Sequence, residues 1–195
     1  ITIESERIIS LLDRMEQISN NNSKLEFEHL NIHEILNHCR RVAENSFGTQ
    51  LEYVNDYDPS LPKLFANKNL LIQILLNLLK NSSEASPING IIKIKTSFNS
   101  NKITSFSNED PPTTLPLQIE IIDYGIGISK NILPNIFDPF VSSKPDGKGL
   151  GLSIVASGLQ EMNAVINVIS EPGLTNFCIN FPLKNTNSKE FKFGH

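Results

Sequence analysis

Cysteine is scarce in this chain of 195 residues: Cys39 and Cys178 stand far apart, with no CxxC and no Cys/His cluster at zinc spacing. A disulfide scaffold and a zinc module are thereby excluded, and two separate thiols suit a reducing cytoplasm. Positive charge is not in excess either, since 17 Lys and Arg face 21 Asp and Glu for a net charge of −4. Nothing in that balance gathers a phosphate backbone or an anionic lipid surface, so neither nucleic acid nor a membrane is an expected partner. No signal-peptide pattern is present, and the longest apolar run, over residues 70–79, is broken by Gln73 and Asn77 and is too short to cross a bilayer. No repeat of solenoid period occurs. What is there is an apolar fraction of 39%, enough for about one domain and a half with a proper core.

Ile8, Leu11, Leu12, Met15 and Ile18 recur at helical spacing, with Glu4, Glu6, Arg7, Asp13, Arg14 and Glu16 on the other faces. That pattern predicts an amphipathic helix of about four turns, and the polar run over 19–23 reads as a linker. Such a helix needs a partner that its own stretch does not supply. The chain is therefore expected to begin in mid-architecture, at the second helix of a hairpin or dimeric bundle. The expected division is residues 1–22 for this helix, 23–183 for the main domain and 184–195 for a polar tail.

Within the main domain, Asn31 is a fair N-cap for a helix to about residue 47, ended by Gly48, and a strand over 51–55 precedes the Asp58-Pro59 turn. The strongest helix spans 69–84. Strands over 91–98 and 117–123 are expected to pair around a proline-bearing surface hairpin. Residues 150–162 read as helix, and strands over 165–169 and 176–182 close the domain. Helices on one side and antiparallel or mixed strands on the other predict an α/β fold, a two-layer sandwich of a mixed sheet and helices.

Three separated patches look chemically loaded. On the helix over 69–84, Leu71, Ile74, Leu75 and Leu78 form a buried stripe, while Asn77, Asn81 and Glu84 fall at i, i+4 and i+7 on one face. Carboxamide oxygens can join the shell of a hard cation such as Mg²⁺ without adding charge. In the second patch a strand stops at Asp123 and enters the turn Gly125-Ile126-Gly127, which exposes one carboxylate beside backbone that a ligand can approach closely. A carboxylate only accepts hydrogen bonds, so it suits an exocyclic amine such as adenine's. In the third, Gly147, Gly149 and Gly151 alternate just ahead of an apolar helix, with Lys144 and Lys148 nearby, which makes an anion site from free N–H groups and the helix dipole. The spacing is neither that of a P-loop nor that of a Rossmann fingerprint. Taken alone, the patches also read as a solvated helix face, a turn after a strand and a flexible loop. Taken together, in this order and within one domain, they specify Mg²⁺, adenine and phosphate.

These residues resemble the catalytic ATP-binding domain of sensor histidine kinases, of the Bergerat or GHKL fold class shared with gyrase, the Hsp90 chaperones and MutL. Asn77-Leu-Leu-Lys-Asn81-Ser-Ser-Glu-Ala resembles the N box, Asp123-Tyr-Gly125-Ile-Gly127 the first glycine box, and Phe137-Asp-Pro-Phe140 the F box. Gly147-Lys-Gly149-Leu-Gly151-Leu152 is similar to the second glycine box, and Gly173-Leu-Thr-Asn-Phe177 to the stretch that closes the domain. A narrower resemblance, to the nitrogen-regulation group of these kinases, rests on the runs 7–16, 31–36, 56–62 and 137–145 and on the insertion before Leu115.

The resemblance implies roles. Asn81 would hold Mg²⁺ and Asn77 would support phosphate and metal contacts, the two acting as the catalytic pair. Asp123 would accept from the adenine amine, with Gly125 and Gly127 admitting the base. Residues 137–148 would form a lid carrying Lys144, Gly147 and Lys148, with Gly149, Leu150, Gly151 and Leu152 at the γ-phosphate end. The cofactors implied are ATP and Mg²⁺. The partners implied are a second copy through the helical hairpin of the full-length protein, a response regulator and a PII-type signal protein. Two departures stand out: Leu150 follows Gly149 directly where many relatives have a Thr, and Met162-Asn163-Ala164 replaces a glycine pair.

A histidine kinase needs an acceptor imidazole. His33 opens a run similar to the acceptor box, but Asn77 follows too soon for a second bundle helix and an opening strand to fit between them. The expectation is that His33 is a partly exposed helix residue, that the acceptor lies upstream of Ile1, and that the chain binds ATP and Mg²⁺ without phosphorylating itself. The rival readings are a self-contained ATPase, which would want a Glu where Asn77 stands, and a degenerate nucleotide-binding interaction module.

Overall fold

The computed structural model describes residues 26–99, 103–104, 113–144 and 147–183. In chain order the elements are β1 (Glu28–Leu30), α1 (Ile32–Glu44), β2 (Glu52–Asp56), β3 (Leu64–Ala66), α2 (Lys68–Ala85), β4 (Ile91–Phe98), β5 (Ile103–Thr104), β6 (Thr113–Thr114), β7 (Leu117–Asp123), α3 (Gly151–Glu161), β8 (Val165–Glu171) and β9 (Leu174–Phe181). A short 3₁₀ turn at Leu133–Asn135 interrupts the long connection between β7 and α3. The expected helix over 7–18 and the tail from 184 lie outside the described residues.

Period-two alternation makes the sheet. In β4 Ile92, Ile94 and Thr96 are buried between partly exposed Lys93, Lys95 and Ser97, and β7 repeats the pattern with Leu117, Ile119, Ile121 and Asp123. Five strands in the order β2-β4-β7-β9-β8 form a mixed sheet, with β2 parallel to β4 and every other pairing antiparallel. One face carries the apolar side chains and receives α1, α2 and α3, with α2 central and packed against both other helices and against β7. On the opposite face, polar groups pair across strands. Lys95 meets Glu120 at 3.7 Å, and the Asn176 amide donates to Glu120 at 2.8 Å. The two-layer sandwich is therefore the observed fold.

The bounds differ from expectation where local hydrogen bonds decide. α1 stops at Glu44 rather than near residue 47, because Asn45 caps it and the Gly48 N–H turns back to the Ala43 carbonyl at 2.9 Å. β9 begins at Leu174, two residues early, where the tight turn at Gly173 returns the chain from β8 in register. The β1–β3 ladder was not expected from sequence; it pairs Glu28 with Ala66 and ties the start of the described chain to the strand ahead of α2. The proline-bearing insertion does form a hairpin, with β5 antiparallel to β6. Asn163 takes φ +52°, so it fills the left-handed position that the expected glycine would have occupied.

Candidate functional site

Three stretches far apart in sequence converge where α2, the start of α3 and the end of β7 meet. α2 starts at Asn67, whose side chain accepts from the Leu70 N–H at 2.9 Å. Its stripe of Leu71, Ile74, Leu75 and Leu78 is fully buried, each side chain contributing roughly 1.5–3 kcal/mol of apolar burial. The stripe sets the rotation of the helix, so Asn77 and Asn81 turn half out of the core and Glu84 turns to solvent. Both carboxamides face the first residue of α3: a Cβ built on Gly151 would stand 3.6 Å from Asn77 Oδ1 and 4.0 Å from Asn81 Nδ2. α3 opens at Leu150 with no side-chain cap, so its leading N–H groups and the positive end of its dipole lie beside those carboxamides without a side-chain acceptor.

Asp123 ends β7 with 1% of its surface exposed. Burial pushes its carboxyl above the ordinary range, and the Gly125 N–H, which donates to Oδ1 at 3.1 Å, together with the Ser82 hydroxyl, pulls it part of the way back. Ser82 lies on α2 next to Asn81. Its Oγ is buried and has no partner in good hydrogen-bond geometry. A buried carboxylate with spare lone pairs, met only loosely by the Ser82 hydroxyl, is a place where a ligand amine or a water completes the hydrogen bonding. That fits an adenine edge.

The turn after Asp123 is clamped on two sides. A Cβ on Gly125 would stand 2.2 Å from the Ala85 carbonyl oxygen. Gly127, at φ +76°, would bring a Cβ to 2.4 Å from the Glu171 carbonyl oxygen, so neither position admits a side chain. Gly149, at φ +65°, backs onto Phe140, whose N–H donates to the Gly149 carbonyl at 2.8 Å. Phe140 itself sits at φ +69° and is more than half exposed, an uncommon backbone state for a bulky residue. The Gly147 N–H bonds the Lys144 carbonyl at 3.1 Å. The Lys144 ammonium pairs with the Glu84 carboxylate, which also meets Lys80 at 3.9 Å. The structure thus brings Asn77, Asn81, Lys144 and the start of α3 together at α2. Asp123 reaches the same helix through Ser82, and Lys148 lies exposed on the loop outside. Among the described residues no group of three or more His, Cys, Asp and Glu could hold a metal, so a cation here would draw on the carboxamides of Asn77 and Asn81 rather than on a cluster of acids or imidazoles.

Two residues here escape a reading of the sequence. Ser82 occupies the buried stripe one turn beyond Leu78, and a serine at an apolar position is the signal that finds it. Thr175, 2% exposed, stands directly opposite Asp123 in the β7–β9 register, on the same inward face. Counting back by twos from Phe177 finds it. His33 lies away from the site: its Nε2 is 3.0 Å from Thr96 Oγ1, and its ring stacks on Tyr57 at 4.8 Å.

Residues 66–185 of this chain, which carry the buried acceptor, the carboxamide pair and the uncapped helix, match the histidine kinase-, DNA gyrase B- and HSP90-like ATPases, and the chain belongs to that family. More narrowly, it is similar to the sensory histidine kinase/phosphatase NtrB of Rhodobacter capsulatus, 41% identical over 94% of this chain and 51% of the relative. It is also similar to NtrB of Azospirillum brasilense, 38% identical over 92% of this chain and 45% of the relative. The chain spans about half the length of the relatives it matches. Among solved structures, the nucleotide-free catalytic domain of histidine kinase ThkA superposes with a TM-score of 0.66 at 22% identity, over 81% of this chain and 98% of that one. Full-length ShkA in complex with AMPPNP superposes with a TM-score of 0.68 at 22% identity, over 83% of this chain and 32% of that one. These two show a shared fold.

Proposed function

We propose that the chain is the ATP-binding, phosphoryl-donating part of an NtrB-like sensor histidine kinase. It would serve transfer of the γ-phosphoryl group to a histidine outside residues 1–195, and thence to a response regulator in nitrogen control. The observation that carries this reading is the convergence of Asn77 and Asn81 on the uncapped start of α3, with Asp123 buried behind Ser82 on the same helix. Asp123 accepts from the adenine amine, while Gly125 and Gly127 leave room for the base. Asn81 offers its carboxamide oxygen to Mg²⁺, and Asn77 supports it from one turn earlier. The N–H groups of Gly149, Leu150, Gly151 and Leu152 and the charges of Lys144 and Lys148 hold the phosphate end, with Gly147 giving the loop its turn.

ATP supplies the phosphoryl group and Mg²⁺ neutralises its charge, so the chain's own residues have to position, neutralise and exclude water rather than form bonds. Asn77 cannot take a proton, which disfavours a self-contained ATPase with a water-activating base at that position. The helix of residues 1–22 would belong to a dimerising hairpin, residues 23–183 to the catalytic domain and 184–195 to a tail. A PII-type signal protein as partner and a cytoplasmic location follow from the resemblance to the nitrogen-regulation kinases. Among the described residues no helix is long and apolar enough to cross a membrane.

Calorimetric titration with a non-hydrolysable ATP analogue, with and without Mg²⁺, tests the reading. Wild type should bind, Asp123→Asn should lose binding in both conditions, and Asn81→Ala should lose only the increment that Mg²⁺ adds. A wild-type chain that binds no nucleotide in either condition would sink the proposal.

A further inference from the structure

Alternation in β8 turns Ile166 and Val168 toward the core, and Ser170 is next in that series, a hydroxyl where an apolar side chain is expected. Its Oγ serves two parts of the site at once. The Ile128 N–H, just after Gly127, donates to Ser170 Oγ at 2.8 Å. Thr175 stands directly opposite Ser170 in the β8–β9 register and directly opposite Asp123 in the β7–β9 register, and its Oγ1 lies 3.0 Å from Ser170 Oγ. One hydroxyl therefore joins the glycine turn to the buried threonine beside Asp123. The β8–β9 turn grips the same segment through its backbone, where the Gly173 N–H donates to the Gly125 carbonyl at 2.9 Å.

The proton inventory fixes the direction of the Ser170–Thr175 bond. A backbone N–H only donates, so Ile128 occupies one lone pair of Ser170, and the Ser170 proton goes either to the Leu174 carbonyl at 3.4 Å or to Thr175 at 3.0 Å. The shorter contact is the better hydrogen bond. With the Ser170 proton on Thr175, the threonine keeps its own proton for another acceptor. Asp123 only accepts, so two side chains with Cβ atoms about 5 Å apart offer an acceptor and a donor side by side. The amine edge of adenine carries the complementary pair, an amine that donates and, next to it, a ring nitrogen that accepts.

We infer that Ser170 is a positioning residue for base recognition: it fastens the glycine turn at Ile128 and gives its proton to Thr175, so that the Thr175 hydroxyl donates to the ring nitrogen, directly or through one water, while Asp123 accepts from the amine. The inference rests on the nucleotide reading above and adds to it a residue that touches no ligand. Inosine reverses this edge, with a carbonyl in place of the amine and an N–H in place of the neighbouring acceptor. The ratio of ATP to ITP affinity therefore reports whether the acceptor and the donor are held in register.

Calorimetric titration of the full chain with ATP and with ITP, each with Mg²⁺, tests the inference. Wild type should prefer ATP. Ser170→Ala should lower that preference by about fivefold or more, chiefly through weaker ATP binding, because the turn loses its anchor and the Thr175 hydroxyl its orientation. Ser170→Thr, which keeps the hydroxyl on a strand, should retain the preference within about twofold. Ser170→Cys, nearly isosteric but a weak hydrogen-bonding partner, should behave as the alanine variant does and serves in its place if alanine unfolds the chain. An unchanged ATP to ITP ratio in the alanine or cysteine variant would overturn the inference, as would an equal loss of both nucleotides that threonine does not restore, since that marks a structural role alone. A wild-type chain that binds neither nucleotide would overturn the nucleotide reading itself, and this inference with it.

Discussion

Lys144, on the loop ahead of α3, gives its ammonium to the carboxylate of Glu84 at the far end of α2. The cation expected to meet phosphate is therefore already engaged by an acid one turn beyond Asn81. Both side chains are about two-fifths exposed, so the pair is worth no more than about 1 kcal/mol to the fold. Removing the acid should act on ligand binding instead. Glu84→Gln should leave the unfolding midpoint almost unchanged and tighten ATP binding a few-fold, because Lys144 is released and a negative charge leaves the phosphate end. Lys144→Ala should weaken binding by about tenfold, less so at high salt. Calorimetry at two ionic strengths reads both effects.

Asp123 sets stability against function. Its folded-state pKa is raised, chiefly by burial, so the buried carboxylate costs stability at neutral pH, and that cost is relieved as pH falls through the raised pKa and the folded form takes up a proton. Asp123→Asn should remove this pH-dependent cost and hold or raise the neutral-pH melting temperature. It should also lose ATP binding by more than about tenfold, because it presents an NH₂ group or a weaker acceptor to the base amine. Thermal melts across the acid range, paired with titration, check both halves.

Two glycines of the site should respond in opposite ways. Gly127→Ala forces a Cβ to 2.4 Å from the Glu171 carbonyl oxygen at φ +76°, so it should cost more than about 2 kcal/mol in urea unfolding. Gly151→Ala meets Asn77 and Asn81 only at ordinary contact distance and begins a helix, where alanine is preferred by up to about 1 kcal/mol. The second variant should be as stable as wild type or more so, yet bind nucleotide less well, because its methyl group projects toward the two carboxamides.

His33 should make the fold acid-sensitive. Burial lowers its pKa below the usual 6.5, with Asp58 opposing, so the folded state prefers the neutral ring that stacks on Tyr57 and bonds Thr96. A group lowered in this way contributes its stability above the unfolded pKa, and the contribution is lost as pH falls below it. Urea midpoints should therefore drop between about pH 7.5 and 5.5 in wild type and drop less in His33→Gln. If His33 acted as a phosphate acceptor instead, phosphohistidine would form on the isolated chain and disappear in that variant.

The sequence alone determined most of the elements and singled out the candidate site residues. The leucine stripe of α2, the alternation of β4 and β7, and the N-cap at Asn31 are local patterns, and local patterns are what a periodicity can report. Asn77, Asn81, Asp123 and the alternating glycines were legible for the same reason, since each patch lies within one short segment. Pairing across segments was not legible. The β1–β3 ladder depends on strands of three residues that are too short to show a period. The Lys144–Glu84 pair and the neighbourhood of Ser82, Asp123 and Thr175 depend on contacts between residues dozens of positions apart. Only the packing of α2 between α1, α3 and the sheet decides those, because a helix buried on three sides has its rotation set by its neighbours. That rotation turns Asn77 and Asn81 toward Gly151 and buries Ser82 beside Asp123.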